Sequence, residues 1–318
     1  MSKTHRPMLR WPARLLPFVG VVVVVVLIRC CAFTTYLIPS RGMENTLLEG
    51  ECILVSRWSY GLRLPLMQWW GYHRWGEQEV GRQEVVVFNA PTLQPGDTTP
   101  VIDQQNIYIG RCMGLPGDTL TVDERFRLVT DATDIHPDRK MLYVFPVEEE
   151  NTMIQLLNRL SLPPAPTTSL NDSLRLIALS SYEHYLLEQE MPDSLCLEKH
   201  GPDTDQRSLH RLVVPRRGQV IKVEPWNATL LANTLTIHEG RTAHAQNGKL
   251  YLNGRETTHC IFAQDYHWMV ADADYNPIDS RHFGFVPTSH LIGRATHIVF
   301  SKQPQGGVRW ARCLARIH

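Results

Sequence analysis

Residues Leu15 to Ile28 are almost wholly apolar, with Val21 to Val26 unbroken, and such a run commits the start of the chain to hydrocarbon before any other choice is made. About 17 to 25 residues span a bilayer. This places a transmembrane segment at 11–31, with Arg14 and Arg29 at its edges extending their head groups toward the interface. Lys3, Arg6, Arg10 and Arg14 lie at or before its start. The positive-inside bias therefore keeps residues 1–10 in the cytoplasm and sends the rest across the membrane. The expectation is a single-pass protein of the inner (plasma) membrane whose main domain is extracytoplasmic, or periplasmic. A cleaved signal peptide is the competing reading, but Arg29, Cys30 and Cys31 stand where small Ala-x-Ala-type residues would precede a cleavage site.

The 32 Lys+Arg residues balance 32 Asp+Glu, so nucleic acid is not an expected partner. Of seven cysteines, Cys30 and Cys31 adjoin the apolar run, and Cys52, Cys112, Cys196, Cys260 and Cys313 are scattered without metal-ligand spacing. Neither a metal site nor a cofactor is expected.

From Leu37 to about Arg127 short β-rich runs (Ile53 to Val55, Val85 to Phe88, Ile107 to Ile109, Leu120 to Val122) alternate with glycine and proline, which predicts a mainly β domain. Near Asp131 the texture changes. Met153, Leu156, Leu157 and Leu160 recur at helical spacing, and a second helix is expected with Asn171 or Ser173 as its cap and Leu174, Ile177, Ala178 and Tyr182 on one face. Strand texture returns at Gln219 to Val223, Lys249 to Asn253, Trp268 to Ala271, Gly284 to Pro287 and His297 to Ser301. The predicted organisation is a β core at 32–125 and 216–318, interrupted by a partly helical lobe at 126–215.

Three ordered segments carry a resemblance. Ile38-Pro39-Ser40-Arg41-Gly42-Met43-Glu44-Asn45-Thr46-Leu47 directly follows the anchor. Tyr108-Ile109-Gly110-Arg111-Cys112-Met113-Gly114-Leu115-Pro116-Gly117-Asp118 comes next, and Ala271-Asp272-Ala273-Asp274-Tyr275-Asn276-Pro277-Ile278-Asp279-Ser280-Arg281 with Gly284-Phe285-Val286-Pro287 closes the series. They are similar, respectively, to the Ser-x-Ser-Met-x-Pro-Thr-Leu, Tyr-Ile-Lys-Arg-x-x-Gly-Leu-Pro-Gly-Asp and Gly-Asp-Asn-Arg-x-Asn-Ser-x-Asp-Ser-Arg signatures of bacterial type I signal peptidases. The insertion and the Leu291-Ile292-Gly293-Arg294 segment look most like those of the Bacteroidota type. The resemblance implies a signal-peptidase-like antiparallel β-sheet domain, a serine endopeptidase that removes signal peptides from exported preproteins, and a serine–lysine dyad.

Matched residue by residue, the serine position is Gly42 and the lysine position is Gly110. Glycine offers neither a nucleophile nor a base, and a lysine acts as a base near neutral pH only when burial lowers its pKa. Pro277 stands where the family has the serine that orients the lysine, and Ala273 and Asp274 replace an Asn-Arg pair. Ser40 matches the hydroxyl that helps bind the oxyanion. Gly50-Glu51 and Gln83-Glu84 depart from family-like Gly-Asp turns, whereas Gly117-Asp118 is retained.

The resemblance also implies capture of an extended peptide beside Ile38, Pro39, Ser40, Met43 and Tyr108, a mode that needs no dyad because backbone pairing supplies the affinity. The expected partners are signal peptides or preproteins, the lipid bilayer, and an active signal peptidase paralogue. Trp58, Trp69, Trp70, Tyr72 and Trp75 suit a membrane interface, or equally a β core. Two other functions fit the sequence: a working peptidase using a displaced group such as Ser40 or Cys112, and a scaffold whose inserted lobe is the functional part.

Overall fold

The short apolar runs become a seven-stranded antiparallel sheet. Its strands are β1 (Phe33–Leu37), β2 (Glu51–Ser56), β3 (Val85–Asn89), β4 (Ile107–Gly114), β5 (Tyr266–Val270), β6 (Val286–Pro287) and β7 (Leu291–Ser301). They lie in the order β1-β2-β7-β3-β4-β5-β6. The computed structural model describes residues 32–64, 71–91, 106–129, 140–162, 167–192, 195–200, 208–272, 278–303 and 306–317, with isolated positions 17, 20, 21, 102 and 165. The expected anchor at 11–31 lies almost wholly outside the described residues, and no described helix is long and apolar enough to cross a membrane.

Strand β7 sits between β2 and β3, pairing Ile298 with Ile53 and Leu291 with Phe88. Two stretches far apart in sequence are thereby joined in one sheet. All five residues of β3 are buried, because each face of the sheet is covered and a period-two strand must then be apolar on both. Val85 and Val87 pack with Ile38, Met43, Leu47, Ile53, Val55 and Ile298. Val86 and Phe88 face the other way, toward Tyr60, Cys112, Met269 and Leu291. Each such side chain contributes about 1.5–3 kcal/mol when fully buried.

The interrupting lobe is a four-stranded sheet, Lys140–Pro146 and Leu174–Ser180 at its centre with Glu198–Lys199 and Thr167–Ser169 at its edges. Helix α1 (Glu150–Arg159) buries Met153, Leu156 and Leu157 against it. The second helix differs from its expected position. Leu174–Ser180 is a strand, paired along its whole length with Lys140–Pro146. Asn171 caps a turn instead of a helix, its Oδ1 accepting from the Ser173 and Leu174 amides at 2.9 and 2.8 Å. The helix proper, α2 (Ser181–Glu190), starts later on a capping box between Ser180 and Glu183. Leu174, Ile177 and Ala178 satisfy a helical spacing, but seven cross-strand partners outweigh a weak local preference.

Helix α3 (Ala228–Glu239) lies within the segment expected to be β and ends on left-handed Gly240. Its sequence is dotted with Thr and Asn, which are middling helix formers, so burial of Leu231 and Leu235 against Trp268, Phe285 and Leu250 decides its form.

Candidate functional site

Strand β1 leads through Pro39 into a turn at 41–47, closed by the Glu44 amide on the Arg41 carbonyl (3.0 Å) and the Leu47 amide on the Met43 carbonyl (2.6 Å). Met43 and Leu47 drop into the core, exposing 2% and 0%, so the turn is pinned from below. Pro39 and Ser40 remain exposed, Gly42 is half-buried, and Ile38 is buried beneath them. Among the described residues, a Cβ added to Gly42 would meet only the Ser40 hydroxyl, at 4.0 Å.

Gly110 lies in β4, opposite Val86 on β3. It is buried, and a Cβ there would touch the Val270 carbonyl, Met269 and Phe88 at 3.4, 3.5 and 3.6 Å, ordinary packing distances. Neither glycine has the left-handed backbone that excludes side chains. Glycine at both positions is a chemical choice and not a conformational requirement. Tyr108, two residues along the same face, is half-buried and stacks on Phe283 with centroids 5.9 Å apart.

One residue beyond Gly110, Arg111 turns to the opposite face of β4 and joins all three signature segments. Its Nε donates to Asp272 Oδ1 at 2.9 Å and its Nη2 to Asp272 Oδ2 at 3.1 Å. The same Nη2 reaches Thr46 Oγ1 at 2.5 Å, and that hydroxyl donates to Asp272 Oδ2 at 2.5 Å. Asn45 donates to the Asp272 carbonyl at 3.4 Å, and Arg111 Nη1 to the Gln83 carbonyl at 2.8 Å. The ion-paired side chains are only 13% and 9% exposed, so the planar fork of Arg111 meets its carboxylate largely out of water.

The third segment is anchored from its far end. Asp279 N-caps the short helix α4 (Ser280–Phe283), accepts from the Ala271 amide at 2.9 Å and pairs with Arg281 at 2.7 Å. Ser280 Oγ accepts from the Met269 amide at 2.8 Å. Pro277, with Ala273 and Asp274, lies outside the described residues.

The residues that depart from Gly-Asp turns are firmly held. Glu51 is fully buried and accepts from Arg312, Ser301 and the Leu48 amide. Burial works to raise its carboxyl, but those partners outweigh it and hold the group below the usual 4.5. Glu84 takes the Tyr60 hydroxyl at 2.9 Å and Arg294 at 2.7 Å. Gln83 occupies a left-handed backbone, φ 65°.

Cys112 points the same way as Gly110 and has no exposed surface. Burial, then Glu84, pushes its thiol up to about 12, which leaves it almost entirely protonated and unreactive. Among the described residues no group of three His, Cys, Asp or Glu is placed to hold a metal ion. The parts of this site absent from sequence reasoning are the Arg111–Asp272–Thr46 junction and the role of Arg312. Arg111 and Asp272 lie inside the quoted motifs, whereas nothing in the sequence around Arg312 distinguishes it.

The family model for the signal peptidases, peptidase S26, matches residues 11–152. Signal peptidase I of Buchnera aphidicola subsp. Baizongia pistaciae is 22% identical over 284 residues, covering 88% of this chain and 74% of the relative. That of Aquifex aeolicus is 23% identical over 88% of this chain and 81% of its own length. That of Pseudomonas aeruginosa reaches 34% over a shorter stretch, 35% of this chain and 34% of its own. With its three signature segments gathered around one arginine, the chain is similar to the signal peptidase I family.

Proposed function

We propose that this protein is a catalytically inactive signal peptidase homologue that holds signal peptides of exported preproteins at the outer face of the plasma membrane. The observation carrying the reading is the contrast within the site. The frame of Arg111, Asp272 and Thr46 is complete, yet the two positions that would supply nucleophile and base are glycines with room for a Cβ. Losing one member of such a cooperating pair removes nearly all catalysis, and here both are gone. The burial of Cys112 counts against a displaced thiol.

An extended peptide needs backbone partners and shallow side-chain pockets. Exposed Pro39 and Ser40 above buried Ile38 and Met43, with Tyr108 nearby in sequence to Gly110, offer a surface of that kind. The 11–31 anchor supports placement at the membrane. Trp58, Tyr72 and Trp75, exposed by 55%, 38% and 68%, suit the interface with lipid. Trp58 and Trp75 also line an open groove of roughly 480 Å³ with Gly61 and Gly76.

A photoreactive Ala-x-Ala peptide should crosslink to residues 38–43 of the detergent-solubilised chain. Incubation with a preprotein should leave the preprotein uncut by the natural chain and cut by Gly42→Ser/Gly110→Lys. Cleavage by the unaltered protein would refute inactivity, and labelling confined to other regions would refute the binding site.

A further inference from the structure

The turn that carries Gly42 is held from a second side by a segment belonging to none of the three signatures. Arg312 forks onto Glu51, Nε to Oε1 at 2.5 Å and Nη2 to Oε2 at 3.0 Å, and the same Nη2 donates to the Thr46 carbonyl at 2.8 Å. Glu51 is fully buried while Arg312 is 34% exposed. The carboxylate also accepts from the Leu48 amide at 2.9 Å and from Ser301 Oγ at 2.8 Å. Thr46 is thus gripped at both ends, its hydroxyl by Arg111 and Asp272 and its carbonyl by Arg312.

The segment bearing Arg312 is itself built into the sheet. The Leu314 amide donates to the Ile298 carbonyl at 2.7 Å, the Ile298 amide to the Ala315 carbonyl at 2.8 Å, and the Ile317 amide to the Thr296 carbonyl at 2.9 Å. Ile317 is buried in the same cluster as Ile38 and Met43. Arg309 adds bonds to the Glu49 carbonyl at 3.3 Å and the Lys302 carbonyl at 2.9 Å. A turn with one face in the core and one carbonyl on a sheet-anchored guanidinium has little freedom to adjust when a ligand arrives. Preorganisation of this kind lowers the entropic cost of binding.

We propose that Arg312 is a positioning residue for the peptide-holding turn, acting through Glu51 and Thr46, so that segment 309–317 sets the affinity of the surface at residues 38–43 for an extended peptide. The affinity part rests on the peptide-binding reading above; the positioning of the turn does not.

Two variants of the full-length, detergent-solubilised chain separate positioning from loss of fold. Arg312→Lys keeps a positive charge opposite Glu51 and loses the fork that also reaches Thr46. Arg312→Gln/Glu51→Gln removes both charges and leaves no buried carboxylate unpaired. The probes are a fluorescein-labelled Ala-x-Ala peptide read by anisotropy, and amide hydrogen exchange. Each variant should bind the peptide about tenfold more weakly, the loss of roughly one charge-assisted hydrogen bond. Amides of residues 44–48 should exchange faster, while those of Leu174–Ser180 in the lobe keep their protection. Unchanged exchange at 44–48 overturns the positioning role. Faster exchange with unchanged affinity overturns its link to the peptide. If the parent chain binds no peptide, the binding reading falls, and exchange at 44–48 alone decides whether Arg312 positions the turn.

Discussion

Arg111 meets Asp272 through both Nε and Nη2, at 2.9 and 3.1 Å, across 161 residues of sequence. With Thr46, this pair joins the three signature segments at one point.

Asp272→Asn should therefore cost more than a surface substitution. Arg111 would lose the Asp272 carboxylate in a largely buried place, and breaking such a pair costs about 3–5 kcal/mol. Asparagine still accepts one hydrogen bond, so a loss of about 2–4 kcal/mol is expected in urea unfolding. A change within about 0.5 kcal/mol would mean that the junction is not what holds the segments.

Gln83 sits at φ 65°, and only its backbone serves Arg111, through the carbonyl at 2.8 Å. Gln83→Gly should relieve the left-handed strain while keeping that bond. A gain of about 1 kcal/mol is expected, strain relief exceeding the added flexibility of the unfolded chain. Thermal unfolding would check it, and a lower midpoint would contradict it.

Stability should fall in mild acid. Burial lowers His238 and His267 from the ordinary 6.5 to about 4, and burial with neighbouring His238 and Arg63 takes His290 well below 6.5. These rings are neutral in the fold, with His238 edge-on to His290 at 5.3 Å. The unfolded chain binds protons near 6.5 and the folded chain only near 4, so the contribution is complete above 6.5 and declines as pH falls between those values. The lowered carboxyl of Glu51 adds a further loss only below its ordinary 4.5. Urea midpoints measured from about pH 7.5 to 5 should decrease, and His290→Gln should flatten the slope.

Thiol chemistry should pass Cys112 by. With the thiol buried and pushed up to about 12, iodoacetamide at neutral pH should leave it unmodified while labelling exposed Cys196. Peptide mapping by mass spectrometry reads both sites in one digest. Modification of Cys112 in the native chain would revive a displaced nucleophile.

Much of the architecture was legible because strands announce themselves locally. The Val85–Phe88 run, Lys249–Leu252 with its turn at Gly254, and the helical spacing of Met153, Leu156 and Leu157 each carry their own pattern. Leu174–Ser180 and α3 did not. In the first a helical spacing yielded to a full ladder with Lys140–Pro146, and in the second indifferent propensities yielded to burial against Trp268 and Phe285.

The candidate site divides the same way. Sequence alone determined the order of the three segments, the family they resemble and the identity of Gly42 and Gly110, because those are facts of covalent order. Only the tertiary structure decided that neither glycine is demanded by its backbone, that Cys112 is sealed in the core, and that Thr46 is gripped by Arg111 on one side and Arg312 on the other. Those facts depend on distances between residues up to 266 positions apart. A guanidinium chooses its partners by where the sheet brings them, and no local pattern records that.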